Sequence, residues 1–190
     1  MTKYSAIILA GGKNSRMGQK KALLLYQGKS FIDIIIEKLN SVDIQEIIIS
    51  GYEYKKDQYI YVEDIFKNKG PLAGIHAGLK QSSAQASLVL TEDSPFVPVW
   101  FIKQLMEEHS RSSFPATVTA CNGRIQPLLG IYEKNLLPLC EETLQSESSA
   151  VKSMLDKTGY NIVEYPGNEI DIRGCNTPKE YEKVVNFRGL

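Results

Sequence analysis

The chain has 190 residues, 43% of them apolar and 23% charged, the make-up of an ordinary folded domain with room for a sizeable core. Its 22 Lys and Arg balance its 22 Asp and Glu, so bulk charge argues against nucleic acid or a membrane surface as partner. Three well-separated cysteines, Cys121, Cys140 and Cys175, lack C-x-x-C spacing, which argues against a disulfide framework or a zinc site and fits a reducing cytoplasm.

No apolar run approaches the roughly 20 residues a membrane helix needs. The opening MTKYSAIILAGG holds too short an apolar stretch for a secretory signal, and glycines follow it at once. A cytoplasmic protein without a targeting segment is expected, with residues 1–190 as one domain.

Apolar runs of strand length alternate with helical patterns along the chain. That order predicts an α/β fold with a mostly parallel sheet. Ala6–Leu9 reads as a buried first strand. Phe31–Leu39 reads as a helix, with Ser30 as N-cap and Asp33 three residues on, a variant of the capping box. Glu46–Ser50 is a second buried strand and Tyr59–Val62 a short third. Pro71–Gln81 is a helix with Pro in its first turn, and its Ala73, Gly74, Ala77 and Gly78 allow close packing on a sheet. Ala86–Leu90 is the next strand, ending at Thr91-Glu92-Asp93, and Pro98–His109 is helical. Ala116–Ala120 and Leu128–Tyr132 read as strands, Glu133–Gln145 and Ala150–Lys157 as helices, and Ile162–Tyr165 as a short strand. A last helix starts at Thr177-Pro178-Lys179-Glu180, another capping box with Pro in the first position.

Three strand ends carry chemistry. After the first strand comes LAGGKNSRMG, Leu9 to Gly18, followed by Lys20 and Lys21. A glycine loop at the carboxyl end of a strand, where open α/β sheets bind ligands, lets backbone N–H groups approach an anion. Lys13, Arg16, Lys20 and Lys21 supply charge, and Arg can form paired bonds to phosphate. The loop is neither G-x-G-x-x-G nor a Walker A loop. Gly28-Lys29-Ser30 ends like the latter, but Leu23 stands where its earlier glycine would fall, so GKS reads as a turn before a helix. A plain glycine turn with a solvated basic face is the alternative, and it leaves unexplained why Arg16 and Lys21 bracket Met17-Gly18.

Asp93 closes LVLTEDSPF. A carboxylate at a strand end opposite a basic phosphate loop suits Mg²⁺, which takes one or two carboxylates plus substrate phosphates. A turn or cap role before Pro95 and Pro98 is the alternative. Glu92 is the second choice, because continued strand alternation turns it the other way. Asp64, after YIYVE, is another strand-end acid that also suits a turn. His76 and His109 have no spaced partners and read as structural. Ser94 lacks a G-x-S-x-G setting, and the tyrosines 52, 54, 59 and 61 suit packing as well as stacking.

LAGG-x-x-SRMG-x-x-KALL closely resembles the opening signature of the molybdenum cofactor guanylyltransferase (MobA) family of nucleotidyltransferases. Glu63-Asp64, Gly70 to Ile75 (GPLAGI), Asp93 to Phe96 (DSPF), Gln126 to Tyr132 (QPLLGIY) and Asn176-Thr177-Pro178 match in the same order. The resemblance implies a single-domain, Rossmann-like three-layer fold, like that of the nucleotide-diphospho-sugar transferases. It implies transfer of GMP from Mg–GTP to molybdopterin, forming the guanine dinucleotide cofactor and pyrophosphate. By resemblance, Leu9, Ala10, Gly11, Gly12, Lys21, Ser50, Asp64 and Asp93 bind the nucleotide, with Mg²⁺ on Asp93. Arg16, Lys21 and Asp93 would then carry catalysis and Asn176 would meet the acceptor, with transient contact to molybdoenzyme maturation proteins. Two positions depart from the pattern. Lys20 stands where the family often has Asp, and the closing Asn-x-Asn-Thr-Pro is here Gly174-Cys175-Asn176-Thr177-Pro178. Two other readings stay open from sequence: nucleotidyl transfer with another base or acceptor, such as cytidylyl transfer to molybdopterin or transfer to a sugar phosphate, and a non-catalytic nucleotide- or cofactor-binding module.

Overall fold

A computed structural model describes residues 3–11, 21–55, 57–175, 177 and 179–183. The first strand, β1 (Tyr4–Leu9), is flanked on both sides by parallel strands. That explains its apolar run Ala6–Leu9, since a strand paired on both edges and covered on both faces has no polar side to show; the buried Ser5 is satisfied by the Ser82 and Ser87 hydroxyls at 2.8 and 2.7 Å. A 3-10 turn at Lys21–Leu23 leads into a two-stranded hairpin, β2 (Leu25–Tyr26) and β3 (Lys29–Ser30). Gln27 and Gly28 take φ of 50° and 81° at its tip, the left-handed pair that a tight two-residue hairpin turn requires. The GKS turn is therefore as expected, but the strands that flank it are too short to leave a periodic signal.

Ser30 caps α1 (Phe31–Asn40) as expected, its Oγ accepting from the Asp33 N–H at 3.3 Å. Next come β4 (Ile44–Ser50), β5 (Ile60–Val62), α2 (Pro71–Gln81), β6 (Ala86–Thr91) and α3 (Val99–Arg111). Then follow β7 (Ala116–Cys121), β8 (Arg124–Glu133), α4 (Leu137–Gln145), α5 (Val151–Thr158), β9 (Asn161–Glu164) and α6 (Glu169–Ile172). Residues 179–183 are helical, and Thr177 Oγ1 accepts from the Glu180 N–H at 3.2 Å, the expected cap.

Two boundaries shift by four residues and one short helix is unexpected. The helix predicted from Glu133 starts at Leu137, because Glu133 ends β8 and a 3-10 turn at Lys134–Leu136 intervenes. The strand predicted from Leu128 begins at Arg124, across a tight turn at Asn122 and Gly123 with φ of 51° and 71°. The four-residue α6, capped by Asn168, is too short to announce itself by periodicity.

The main sheet has seven strands in the order β5-β4-β1-β6-β8-β7-β9. All pairings are parallel except those of β8 with β6 and β7. This is the Rossmann-like, mostly parallel α/β architecture expected. Alternate side chains of β1 sort the helices into two layers. Ala6 and Ile8 pack in one cluster with Ile32, Ile35 and Ile36 of α1 and Phe101, Ile102 and Leu105 of α3. Ile7 packs in the other with Leu72, Ile75 and Leu79 of α2, Leu144 of α4 and Met154 of α5. Each fully buried aliphatic side chain contributes about 1.5–3 kcal/mol. Gly78 lets α2 lie close on the sheet, since a Cβ there would come within 2.6 Å of Ile7 Cδ1.

One core residue makes stability depend on pH. His109 is buried on α3, with Nδ1 3.0 Å from Thr117 Oγ1 and Nε2 3.7 Å from Glu133 Oε1. Burial lowers its pKa, and the Glu133 charge opposes this only in part. The unfolded chain, with a histidine pKa near 6.5, therefore takes the proton more readily than the folded one. The stabilisation is fully present above about pH 6.5 and is lost as pH falls toward the lowered folded value. We expect melting temperature to drop between pH 7.5 and 5.5, by at most about 1.4 kcal/mol of stability per pH unit from this group. His109→Gln should flatten that slope, and equal slopes in thermal melts of the two proteins would remove His109 as the cause.

Candidate functional site

A cavity of about 910 Å³ opens at the carboxyl ends of β1, β4, β5 and β6 and the first turn of α2. The strand order places it there. From β1 the chain moves through β4 and β5 to one side, then crosses by α2 to β6 on the other, and such a reversal leaves a crevice at the strand ends. Leu9 and Ser50, the last residues of β1 and β4, line it, as do Asp64 and Asp93, each two residues beyond a strand, together with Gly11 and Lys21. Six residues picked out from sequence thus converge. Ala10 is buried beside them, its N–H donating to the Ser50 carbonyl at 2.8 Å, and does not line the cavity among the described residues. Gly12, Arg16 and Asn176 lie outside the described residues, as do Lys13 and Lys20.

Asp93 and Lys21 form the charged centre. Lys21 Nζ donates to Asp93 Oδ2 at 2.8 Å, with the two side chains 17% and 10% exposed. The Thr91 hydroxyl donates to Asp93 Oδ1 at 2.7 Å. Breaking so covered a pair by removing one partner strands the other charge. Opposite, Ser50 Oγ donates to Asp64 Oδ1 at 3.0 Å. Gly74 on α2 makes room for that contact, as a Cβ there would lie 2.8 Å from Ser50 Oγ and 2.9 Å from Leu9 Cδ2. The α2 N-terminus, with Gly70 as cap and Pro71 first, borders the cavity and brings the positive end of the helix dipole to it.

Glu92 also borders the cavity. The alternation expected to turn it away stops because β6 ends at Thr91 and a turn follows. On the rim, Lys67 pairs with Glu63 at 2.7 Å. This hydrogen bond lowers the Glu63 pKa and raises that of Lys67. Of the four tyrosines only Tyr61 lines the cavity. Tyr54 instead donates to Asp33 Oδ1 at 2.7 Å, where Lys55 also donates at 2.8 Å. Burial tends to raise the Asp33 pKa, yet these donors and Ser30 hold it near about 2. Lys29 sits in an exposed pair with Glu37 at 2.8 Å. His76 is buried against Phe66, with Nε2 3.0 Å from Glu141 Oε1, and with His109 keeps to the core as expected. All three cysteines are buried and free.

Among the lining residues to which sequence alone assigns no role are Gly51, Lys67, Asn68, Thr91 and Leu128. Leu128 reaches the cavity through a bulge. Val118 pairs with Gly130, but the next residue, Thr119, pairs with Gln126, so residues 127–129 leave the ladder. β6 pairs with β8 only as far as Val89, which opens that side of Leu90 and Thr91.

A family model for the MobA-like NTP transferase domain matches residues 6–161. A probable molybdenum cofactor guanylyltransferase of Flavobacterium johnsoniae is 31% identical over 170 residues, 89% of each chain. Another, of Bacillus cereus strain AH187, is 32% identical over 195 residues and 95% of each chain. Among solved structures, molybdopterin-guanine dinucleotide biosynthesis protein A of Archaeoglobus fulgidus superposes with a TM-score of 0.79 at 21% identity, over 97% of this chain and 98% of that one. A CMP:2-keto-3-deoxy-manno-octonic acid synthetase complexed with CTP gives a TM-score of 0.79 at 15% identity, over 99% of each chain. These two likenesses show the fold.

The tightest backbone approach at the site is between Gly11 and Gly51. Gly51 has φ of 83°, and a Cβ there would lie 2.8 Å from Gly11 N. Gly51→Ala meets both penalties. Left-handed backbone alone costs an alanine about 1–2 kcal/mol, or roughly 2–8 °C in Tm for a chain of this size. A drop at least that large is the expected outcome of a thermal melt, and an unchanged Tm would mean that the two loops part freely.

Proposed function

The chain belongs to the MobA-like NTP transferase family, and on that premise we propose that it transfers GMP from GTP to molybdopterin, releasing pyrophosphate. The observation that carries this reading is the covered Lys21–Asp93 pair at the end of β6, in one cavity with Gly11, Ser50 and Asp64. Its relatives of about one-third identity, described as probable molybdenum cofactor guanylyltransferases, support guanine and molybdopterin over another base or acceptor. Among the described residues no helix is long and apolar enough to cross a membrane. A cytoplasmic location belongs to the same proposal.

Among the described residues no group of three or more His, Cys, Asp or Glu could hold a metal ion by itself. The Asp93 carboxylate at the cavity is a donor of the kind Mg²⁺ takes, because that ion binds proteins through one or two carboxylates and completes its shell with substrate phosphates and water. Asp93 would hold it, next to the Thr91 hydroxyl. When bound, the ion would supply charge neutralisation on the phosphates during transfer.

The residues of the chain divide the remaining work. Backbone N–H groups near Gly11 and the α2 N-terminus attract the phosphates. Lys21 exchanges Asp93 for a phosphate oxygen, so neither charge is stranded before GTP arrives. Gly11, Gly12 and Arg16 complete the phosphate cradle in this reading, with Ser50 and Asp64 on the nucleoside and Asn176 toward the acceptor. The terminal phosphate oxygen of the acceptor attacks the α-phosphorus of GTP. The bond from that phosphorus to the bridging oxygen of the β-phosphate breaks, and pyrophosphate leaves with the electron pair. Reaction between two bound phosphates needs no covalent enzyme intermediate, so positioning and charge stabilisation carry the rate.

The test is pyrophosphate release with each of the four NTPs, with and without molybdopterin. GTP-dependent release that requires the acceptor is expected. Release with CTP at an equal or better rate would assign cytidylyl transfer, and no release with any NTP would leave a binding module. Asp93→Asn keeps the shape and loses the anionic oxygen. It should still fold, with a Tm lowered because Lys21 loses its partner, and should lose roughly a hundredfold or more in kcat where both proteins are folded, since such stabilisation amounts to several kcal/mol.

Lys21→Ala should reduce kcat/KM by about 10- to 150-fold, the loss of a charge-assisted hydrogen bond of about 1.5–3 kcal/mol. Lys29→Ala breaks only an exposed surface pair, a change of about 0–1 kcal/mol in stability, and should leave turnover near parental. Equal losses in the two variants would dissolve the distinction between the two lysines.

A further inference from the structure

The Asp93 carboxylate has a third neighbour besides Lys21 and Thr91. A Cβ built on Gly174 would lie 2.5 Å from Asp93 Cγ and 2.6 Å from Oδ2, closer than real side chains approach. One residue on, the Cys175 N–H donates to the Asp93 carbonyl at 3.1 Å. The Cys175 side chain is 1% exposed and packs in an apolar cluster with Leu24, Phe31 and Phe96. Burial first, then the Asp93 charge, pushes its thiol pKa up to about 12, so it sits there as a neutral plug. Leu24 ties the plug to Lys21, whose carbonyl accepts from the Leu24 N–H at 3.0 Å. Tyr181, packed on the same cluster, donates to the Leu25 carbonyl at 2.5 Å. The family's closing Asn-x-Asn-Thr-Pro pattern has Asn at this position, so Gly174 is a departure of this chain.

We propose that Gly174 is a positioning residue. Its missing side chain gives the Asp93 carboxylate its place against Lys21 and Thr91, and the Cys175 plug holds the Gly174 backbone there. The functional part of this rests on the reading of Asp93 as the metal-holding acid. The atoms that a Cβ would meet are the end of a side chain, which can swing away, so Gly174→Ala displaces the carboxylate and leaves the fold standing. A glycine needed only for folding would behave in the opposite way.

Two measurements on the full chain test this. Mn²⁺ binding in the presence of GTP, followed by electron paramagnetic resonance, should weaken about 10- to 100-fold in Gly174→Ala, the usual cost of losing a partner that orients a metal ligand. Thermal melts without metal or nucleotide read the geometry alone. Lys21→Ala should lower Tm in the parent and have little effect in Gly174→Ala, where the ion pair is already broken. An equal Lys21→Ala effect in both backgrounds, or parental Mn²⁺ affinity in Gly174→Ala, would overturn the proposal. If Asp93→Asn itself binds Mn²⁺ like the parent, the metal role of Asp93 falls, and the melts alone decide the position of Gly174. If Gly174→Ala proves unstable, the double variant Asp93→Ala/Gly174→Ala must regain the Tm of Asp93→Ala, because the clash is with that carboxylate. Failure to regain it overturns the proposal as well.

Discussion

The site depends on one constraint, the complete enclosure of β1. Its backbone is paired on both edges, by β4 and β6, and its side chains pack alternately into the two cores. A polar group fits along such a strand only with a built-in partner, as Ser5 has in Ser82 and Ser87, because one without a partner costs about 1–3 kcal/mol. The first place where backbone groups can turn to a ligand is its carboxyl end. There the flanking strands hold on for one residue more. Ala10 N–H donates to the Ser50 carbonyl on one side, and Glu92 N–H donates to the Leu9 carbonyl on the other. Just beyond them Gly11 and Gly51 lie so close that a Cβ on Gly51 would come within 2.8 Å of Gly11 N.

Charge at this rim is arranged in pairs that can be exchanged. Net charge is zero over the chain, whereas the described cavity lining sets Lys21 and Lys67 against Glu63, Asp64, Glu92 and Asp93, with Lys21 paired to Asp93 and Lys67 to Glu63. The two pairs differ in setting. Lys67 and Glu63 are each 64% exposed, and pairs of that kind are weak because water and salt screen them. Lys21 and Asp93 are largely covered, so each keeps the other's charge tolerable. The bulge at residues 127–129 adds the space. By releasing β8 from β6 beyond Val89, it leaves the approach to Thr91 and Asp93 lined by Leu128 rather than closed by a strand.

Much of this was legible in the residues because it is local. Leu9, Ser50, Asp64 and Asp93 lie at or just past the ends of buried runs, and run length alone locates a strand end. The Ser30 and Thr177 caps follow from spacing three residues apart. The hairpin at Leu25–Ser30 and the helix α6 are shorter than any period. The early start of β8 is hidden because Pro127 reads as a break, when it is the first residue of a bulge whose carbonyl is held by Tyr132. Thr91, Leu128 and Gly174 escape for a different reason. Their roles are contacts across the fold, and nothing in the neighbouring sequence states which residue will stand opposite.

Gly174 shows how topology makes such a contact unavoidable. β9 pairs parallel to β7, and β7 runs the same way as β6 because β8, antiparallel to both, lies between them. The chain therefore leaves β9 at the same rim as it leaves β6. Tyr165, just past β9, is anchored there by its N–H to the Ala120 carbonyl at 2.7 Å and by its ring against Trp100 and Phe101 of α3. With α3 beginning five residues after Ser94, the segment that follows Tyr165 is delivered next to the turn that carries Asp93. Cys175 then needs only an apolar hole to dock, which Leu24, Phe31 and Phe96 provide. The strands up to β6 lay out most of the cavity, and in the proposed reading the return through β9 brings the backbone that positions Asp93. A parallel edge strand far from the cavity thus shapes it, through the direction in which it releases the chain.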